Sequence, residues 1–272
     1  MPEEITEPTG TAQDGDLLYE LRGAGFSVAG TEILAPVDLA LPASRICGLI
    51  GPNGSGKTSL LRLLGRQQAR TAGDIRLLGR PLDDYGDREF ARHVAYMPQF
   101  SPPADGMSVR ELVALGRFPW HGALGRFTAA DAAKVDEALD QTGLADFAGR
   151  LVDTLSGGER QRAWLAMMLA QDTRCLLLDE PTSALDIAHQ VEVLALVRAL
   201  GRKRAIGAVI VLHDINMAAR HCDELVALRR GRIVARGTPH EIVRPDVLAG
   251  IYGVAMGTLP HPSGGPPLSY VR

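Results

Sequence analysis

The eight residues Gly51-Pro-Asn-Gly-Ser-Gly-Lys-Thr58 constrain this chain more than any other stretch. Their spacing matches GxxxxGK[ST], and the flanks match too. A short apolar run, Ile46–Ile50, leads in, and a helical pattern runs from Thr58 to about Gln67. In such a strand–loop–helix unit, successive backbone N–H groups curl around a polyphosphate and the helix N-terminus adds a favourable dipole. Lys57 is then expected at the β- and γ-phosphates, and Thr58 offers a hydroxyl to Mg²⁺. Only three lysines occur in the chain, Lys57, Lys134 and Lys203, so abundance does not explain one in the motif.

The remaining pattern is that of an α/β chain. Val94–Met97, Cys175–Leu178 and Ala208–Leu212 are short, apolar and end at polar residues, as core strands of a mostly parallel sheet do. The middle is helical instead. Ser108-Val-Arg-Glu111 reads as a capping box, Thr128 opens a second helix, and a third runs from about Gly158 to Gln171. Residues 102–171 are therefore expected as a helical subdomain inserted into a core formed by 17–101 and 172–240. Asp186 caps a helix over about Ile187–Leu200. Leu225–Leu228 and Arg232–Ala235 flank Arg230-Gly231 as a hairpin, and Thr238-Pro239-His240-Glu241 starts another helix. Residues 241–272 form a C-terminal extension whose last dozen, rich in Pro and Gly, are expected as an irregular strand or tail.

Composition closes off several classes. With 46% hydrophobic and 22% charged residues, the 272-residue chain has ample material for a core. Its net charge of -3, from 29 basic and 32 acidic residues, leaves no global basic field, and nucleic acid is not an expected partner. The first sixteen residues carry five acids, no base and no apolar run, so a disordered acidic tail is expected over 1–16 rather than a secretion signal. Apolar runs such as Ala205–Leu212 fall far short of the ~18 residues that span a bilayer, so any membrane role is peripheral. Cys47, Cys175 and Cys222 fit neither a zinc site nor a disulfide framework and read as core thiols.

Two further elements carry chemistry. Cys175-Leu-Leu-Leu-Asp179-Glu180-Pro181 is an apolar strand ending in two acids. Beside a phosphate loop, Asp179 can hold Mg²⁺ and Glu180 can orient or deprotonate an attacking water. Leu155-Ser-Gly-Gly-Glu-Arg-Gln-Arg162 places Ser156, Gly157 and Gly158 at a helix start, a second anion site about a hundred residues from the first. One nucleotide does not need both, so the second is expected to serve the nucleotide of a partner subunit.

With these elements in order, the sequence resembles the ATP-binding subunits of ABC transporters from about Phe26 onward. Gly51–Thr58 matches the Walker A loop, Gln99 the Q-loop glutamine and 155–162 the signature. Asp179 and Glu180 match the Walker B pair, Ser183-Ala-Leu-Asp186 the D-loop, and His213 the switch histidine. The resemblance implies a P-loop NTPase core with an antiparallel β subdomain and the inserted helical subdomain. It implies ATP and Mg²⁺ as ligands, with nucleotide contacts from Gly51, Pro52, Asn53, Gly54, Ser55, Gly56, Lys57, Thr58 and Ser59. Ser156, Gly157, Gly158 and Asp186 would act across a homodimer that closes head-to-tail, and Thr58, Gln99 and Asp179 would surround the metal. Lys57, Gln99, Glu180 and His213 carry the implied catalysis. The family stacks an aromatic side chain on adenine, and the matching place here is Val28.

The segment Gly106–Arg126, together with Gln171–Val193 and His213–Ala219, resembles ATPases of iron-siderophore importers, most of all the ferric hydroxamate type. Vitamin B12 and haem importers share a looser version. The implied partners are a transmembrane permease and a periplasmic or lipoprotein siderophore-binding protein, with the chain peripheral at the cytoplasmic face of the membrane. Trp120 and His121 either pack within the helical insert or border the groove that receives a permease helix. The alternatives are another ABC transporter or a soluble ABC ATPase. DNA-repair relatives carry a long coiled-coil insertion before the signature, and this chain has no room for one.

Overall fold

The computed structural model describes residues 17–100, 102–122, 125–183 and 185–272. The tail expected over 1–16 lies outside the described residues. The chain begins with a long hairpin, β1 (Leu17–Val28) and β2 (Thr31–Pro42), before the buried β3 (Ile46–Ile50) and helix α1 (Lys57–Leu64). Next come β4 (Ala72–Leu77), β5 (Arg80–Pro81), α2 (Asp87–His93) and β6 (Val94–Met97). A helical run follows: α3 (Val109–Leu115), α4 (Phe118–His121), α5 (Ala129–Gln141) and α6 (Gly157–Ala170). The chain returns to the sheet through β7 (Cys175–Asp179), α7 (Ile187–Arg204), β8 (Gly207–Val211), α8 (Ile215–His221), β9 (Glu224–Arg229) and β10 (Arg232–Gly237). It ends with α9 (Pro239–Ile242), α10 (Pro245–Tyr252), β11 (Met256–Leu259) and β12 (Leu268–Val271).

The apolar runs become a six-stranded sheet in the order β10-β9-β3-β8-β7-β6, parallel except for β10. Its central strands are buried on both faces, so alternate residues feed two cores. Along β7, Cys175 and Leu177 join the core shared with α1 and the antiparallel sheet β2-β1-β4-β5. Leu176 and Leu178 join the core shared with α3, α5, α6 and α7. This sandwich aims the C-terminal ends of β3, β6, β7 and β8 at one edge, where ligands of open parallel sheets bind.

The capping signals behave as their chemistry requires. The side chains of Ser108, Thr128 and Ser156 each accept from the backbone N–H three residues on, and the acid at that position returns the bond. Some boundaries move. The helix expected to reach Gln67 stops at Leu64, because Gly65 caps it and Arg66 turns left-handed (φ 54°). Helix α7 continues to Arg204, four residues beyond the expected end. Of the last dozen residues, expected as an irregular strand or tail, Leu268–Val271 form the regular strand β12, paired with β11 from Met256↔Val271 to Leu259↔Leu268. Asn216 of α8 pins this hairpin, accepting from Ser269 N at 2.8 Å and donating to Ser269 O at 3.1 Å. Among the described residues no helix is long and apolar enough to cross a membrane.

Candidate nucleotide-binding site

The loop after β3 is shaped by glycines in backbone conformations that other residues rarely adopt. Gly51 (φ 133°) faces the Leu228 carbonyl so closely that an added Cβ would overlap it. Gly54 (φ 72°) has nothing within 4 Å of a Cβ position, so its backbone lies open at the mouth of a cavity of about 410 Å³. Asn53, Gly54, Ser55, Gly56, Lys57, Thr58 and Ser59 line that cavity, with Gln99, Glu180 and His213 opposite and Ile33 at its side. Thus residues from five separate segments meet in one space. Gly51 supports the loop from behind, and Pro52 contributes its carbonyl.

Lys57 is 5% exposed and its Nζ donates to the carbonyls of Gly51 (2.8 Å) and Pro52 (2.9 Å). Burial lowers its pKa, while the carboxylates of Glu180 and Asp179 pull it back up. Thr58 Oγ1 donates to Asp179 Oδ1 at 2.9 Å, and the Tyr96 hydroxyl reaches Asp179 Oδ2 at 3.4 Å. Asp179 is buried, which raises its pKa, although the hydrogen bond from Thr58 opposes the shift. Glu180 stands at the strand tip in the left-handed region (φ 50°), a conformation that costs a non-glycine residue about 1 kcal/mol or more. Its carboxylate is held from two sides. Gln99 Nε2 donates to Oε2 at 2.7 Å, and His213 Nε2 lies 2.6 Å from Oε1.

The ligand set suits the groups implied for it. Ser55 Oγ is buried without a hydrogen-bond partner, an orphan donor beside the open loop backbone. The Thr58 hydroxyl and the Gln99 amide, both hard oxygen donors, line the cavity, and the Asp179 carboxylate is buried directly behind Thr58. This fits Mg²⁺, which takes one or two protein oxygens and completes its shell with phosphate and water. Among the described residues no cluster of three or more His, Cys, Asp or Glu forms a self-sufficient metal cage.

The signature and D-loop residues lie elsewhere. Ser156, Gly157, Gly158 and Asp186 do not line the cavity. Ser156 caps α6 reciprocally with Glu159, whose pKa this hydrogen bonding lowers. Asp186 caps α7 through His189 N (3.0 Å) and also accepts from His189 Nδ1 (2.8 Å). The sequence reading grouped Gly157 with Gly158, yet Gly157 is exposed whereas Gly158 is buried. It also missed Tyr96, Ile33 and His189, which belong to no motif; only Tyr96, at the end of a strand neighbouring β7, carried a positional hint. Val28 is half exposed at the β1–β2 turn. Tyr19, near the other end of β1, is fully buried and donates to Leu64 O at 2.9 Å, and Phe26 packs against a core, so neither offers a free ring. Trp120 Nε1 donates to Gln171 O at 2.7 Å, and its ring lies under the Arg92 and Arg117 guanidinium groups.

Known proteins share the family and the fold. A family model described as ABC transporter matches residues 34–183. The ferric enterobactin transport ATP-binding protein of Escherichia coli (strain K12) is 42% identical over 228 residues, 84% of each chain. The iron(3+)-hydroxamate import ATP-binding protein of Bacillus subtilis (strain 168) is 38% identical over 230 residues, 85% of this chain and 86% of that one. A solved structure of a metal-chelate type ABC transporter in an inward-facing conformation superposes with a TM-score of 0.82 at 24% identity. It covers 94% of this chain and 98% of that one, and the likeness concerns the fold. The chain belongs to the ABC transporter family.

Proposed function

We propose that this chain is the ATP-hydrolysing subunit of an importer, energising uptake of ferric siderophores of the hydroxamate type across the cytoplasmic membrane. The observation that carries the ATPase reading is the Glu180 carboxylate, held by Gln99 and His213 at the mouth of the loop that contains Lys57 and Thr58. Phosphoryl transfer asks a protein mainly for positioning and charge neutralisation, and these side chains supply both. Lys57 moves from its own loop carbonyls onto the β- and γ-phosphates, which the loop N–H groups cradle. Thr58 and Asp179, with Gln99, would hold Mg²⁺, which when bound neutralises phosphate charge. Glu180 orients the attacking water and takes its proton, while His213 holds Glu180 and senses the γ-phosphate.

The cycle would need a second copy. Ser156–Gly158 of one protomer would cover the nucleotide on Gly51–Thr58 of the other, with Asp186 near the twofold axis, so the interface is isologous. The transmembrane permease would dock beside Gln99, and a siderophore-binding protein would deliver cargo in the assembled system. Likeness to the B. subtilis hydroxamate protein supports this cargo, and likeness to the E. coli enterobactin protein favours a catecholate as second reading. Val28 at the adenine position offers an aliphatic contact in place of a stacked ring.

The test is uptake in cells carrying Lys57→Ala beside the wild type, with hydroxamate and catecholate siderophores, haem and vitamin B12 as cargoes. Selective loss of hydroxamate uptake is expected. Loss of another cargo corrects the substrate and keeps the mechanism. No loss in any channel, with ATP hydrolysis intact in the purified wild type, contradicts the transport reading.

A further inference from the structure

Gly158 is the second residue of α6, and its backbone is covered from within its own chain. A Cβ built there would meet the His189 ring, with Cγ at 2.7 Å, Nε2 at 2.8 Å and Cδ2 nearer still. The preceding glycine differs: a Cβ on Gly157 meets only Leu185 Cδ2, at an ordinary 3.7 Å. The ring on Gly158 is fixed in turn. Its Nδ1–H donates to Asp186 Oδ1 at 2.8 Å, and the same oxygen accepts the His189 backbone N–H at 3.0 Å. This doubly engaged carboxylate is the N-cap of α7 and is held below the usual carboxylate range by those bonds. One turn further along both helices, Arg162 of α6 pairs with Glu192 of α7 at 2.9 Å. The start of the signature helix is thus seated on the start of the D-loop helix at two successive levels.

We propose that His189 is a positioning residue. Its ring sets where the α6 N-terminus stands relative to the D-loop, so that both arrive together at the partner's nucleotide. Gly158 is glycine to admit this ring, whereas Gly157, open on its outer side, is free for close approach by a ligand. The positioning role rests on the head-to-tail closure proposed above; the packing of His189 on Gly158 does not. Because a displacement of about 1 Å can cost orders of magnitude in rate, a contact remote from the reacting atoms can govern turnover.

Two measurements test this with the full-length chain. In the first, melting temperatures are compared for wild type, Gly158→Ala, His189→Ala, the double variant and Gly157→Ala. Gly158→Ala is expected to lower Tm by about 5 °C or more, because the new methyl strikes the ring. In the His189→Ala background the same change is expected to cost about 1 °C or less, since the space is then free. Gly157→Ala is expected to leave Tm near the wild-type value. Equal losses for Gly158→Ala in both backgrounds would overturn the packing assignment, whether or not the chain hydrolyses ATP. In the second, steady-state ATP hydrolysis by the assembled transporter is expected to show kcat lowered about tenfold by His189→Ala, with KM for ATP within about twofold of wild type. An unchanged kcat, or a loss confined to KM, would overturn the positioning role even if the packing result holds.

Discussion

His221 shows how much a single buried side chain can decide. It sits at the end of α8, 5% exposed, with neither ring nitrogen hydrogen-bonded. Burial, reinforced by the nearby Arg220 and Arg198 charges, pushes its pKa down to about 4. The unfolded chain therefore binds a proton between about pH 6.5 and pH 4 that the folded chain refuses. Stability from this residue is complete above pH 6.5 and is lost as pH falls toward 4, by about 3 kcal/mol. His221→Leu is expected to flatten the stability-versus-pH curve over that interval, measured by urea unfolding; an unchanged slope would refute the assignment. At the nucleotide site burial also lowers the pKa of Lys57, but there the group has partners. Its own loop carbonyls satisfy it, and two carboxylates oppose the effect of burial.

At the scale of elements, two junctions hold the site in place. The first is the turn between β3 and α1. Gly51 there takes a φ of 133° against the Leu228 carbonyl, so Gly51→Ala combines a forbidden conformation with an overlap. The expected cost is about 3 kcal/mol or more, read as an earlier unfolding midpoint together with lost ATP binding. The second is in the helical region, where Arg117 and Asp131 form a buried pair at 2.9 Å and Arg117 also donates to Ala170 O at the end of α6. The Thr128 hydroxyl and amide, then Arg117, hold Asp131 down at about 2. Being depressed, this group stabilises the fold above about pH 4, and that contribution fades as pH falls toward 2. Asp131→Asn is expected to cost about 2 kcal/mol or more at pH 7, because the Arg117 charge is left buried and unpaired, and the deficit is expected to shrink between pH 4 and pH 2. A deficit constant across that range would contradict the pairing.

For the whole molecule, sequence reasoning was strongest where local chemistry is self-sufficient. The buried strands β3, β6, β7 and β8 are apolar runs with polar ends, and the capping boxes at Ser108, Thr128 and Ser156 satisfy themselves within one turn. The phosphate loop was legible for the same reason, since its glycines and Lys57 are adjacent in the chain. What stayed hidden depends on distant partners. Strand β12 follows two prolines, and its partner β11 was not foreseen. Tyr96 meets Asp179 because β6 lies next to β7, and the two signature glycines differ only because α7 brings His189 onto one of them. The same limit applies to the signature itself, because Ser156–Gly158 do not line this chain's nucleotide cavity. The central claim, that one working site is built from two chains, makes the mass of Glu180→Gln in solution the decisive observation. With ATP and Mg²⁺, light scattering is expected to give twice the 29.1 kDa of the chain, because nucleotide is bound and not consumed. A monomer that retains ATP, or a Glu180→Gln chain that hydrolyses ATP at the wild-type rate, would contradict the account.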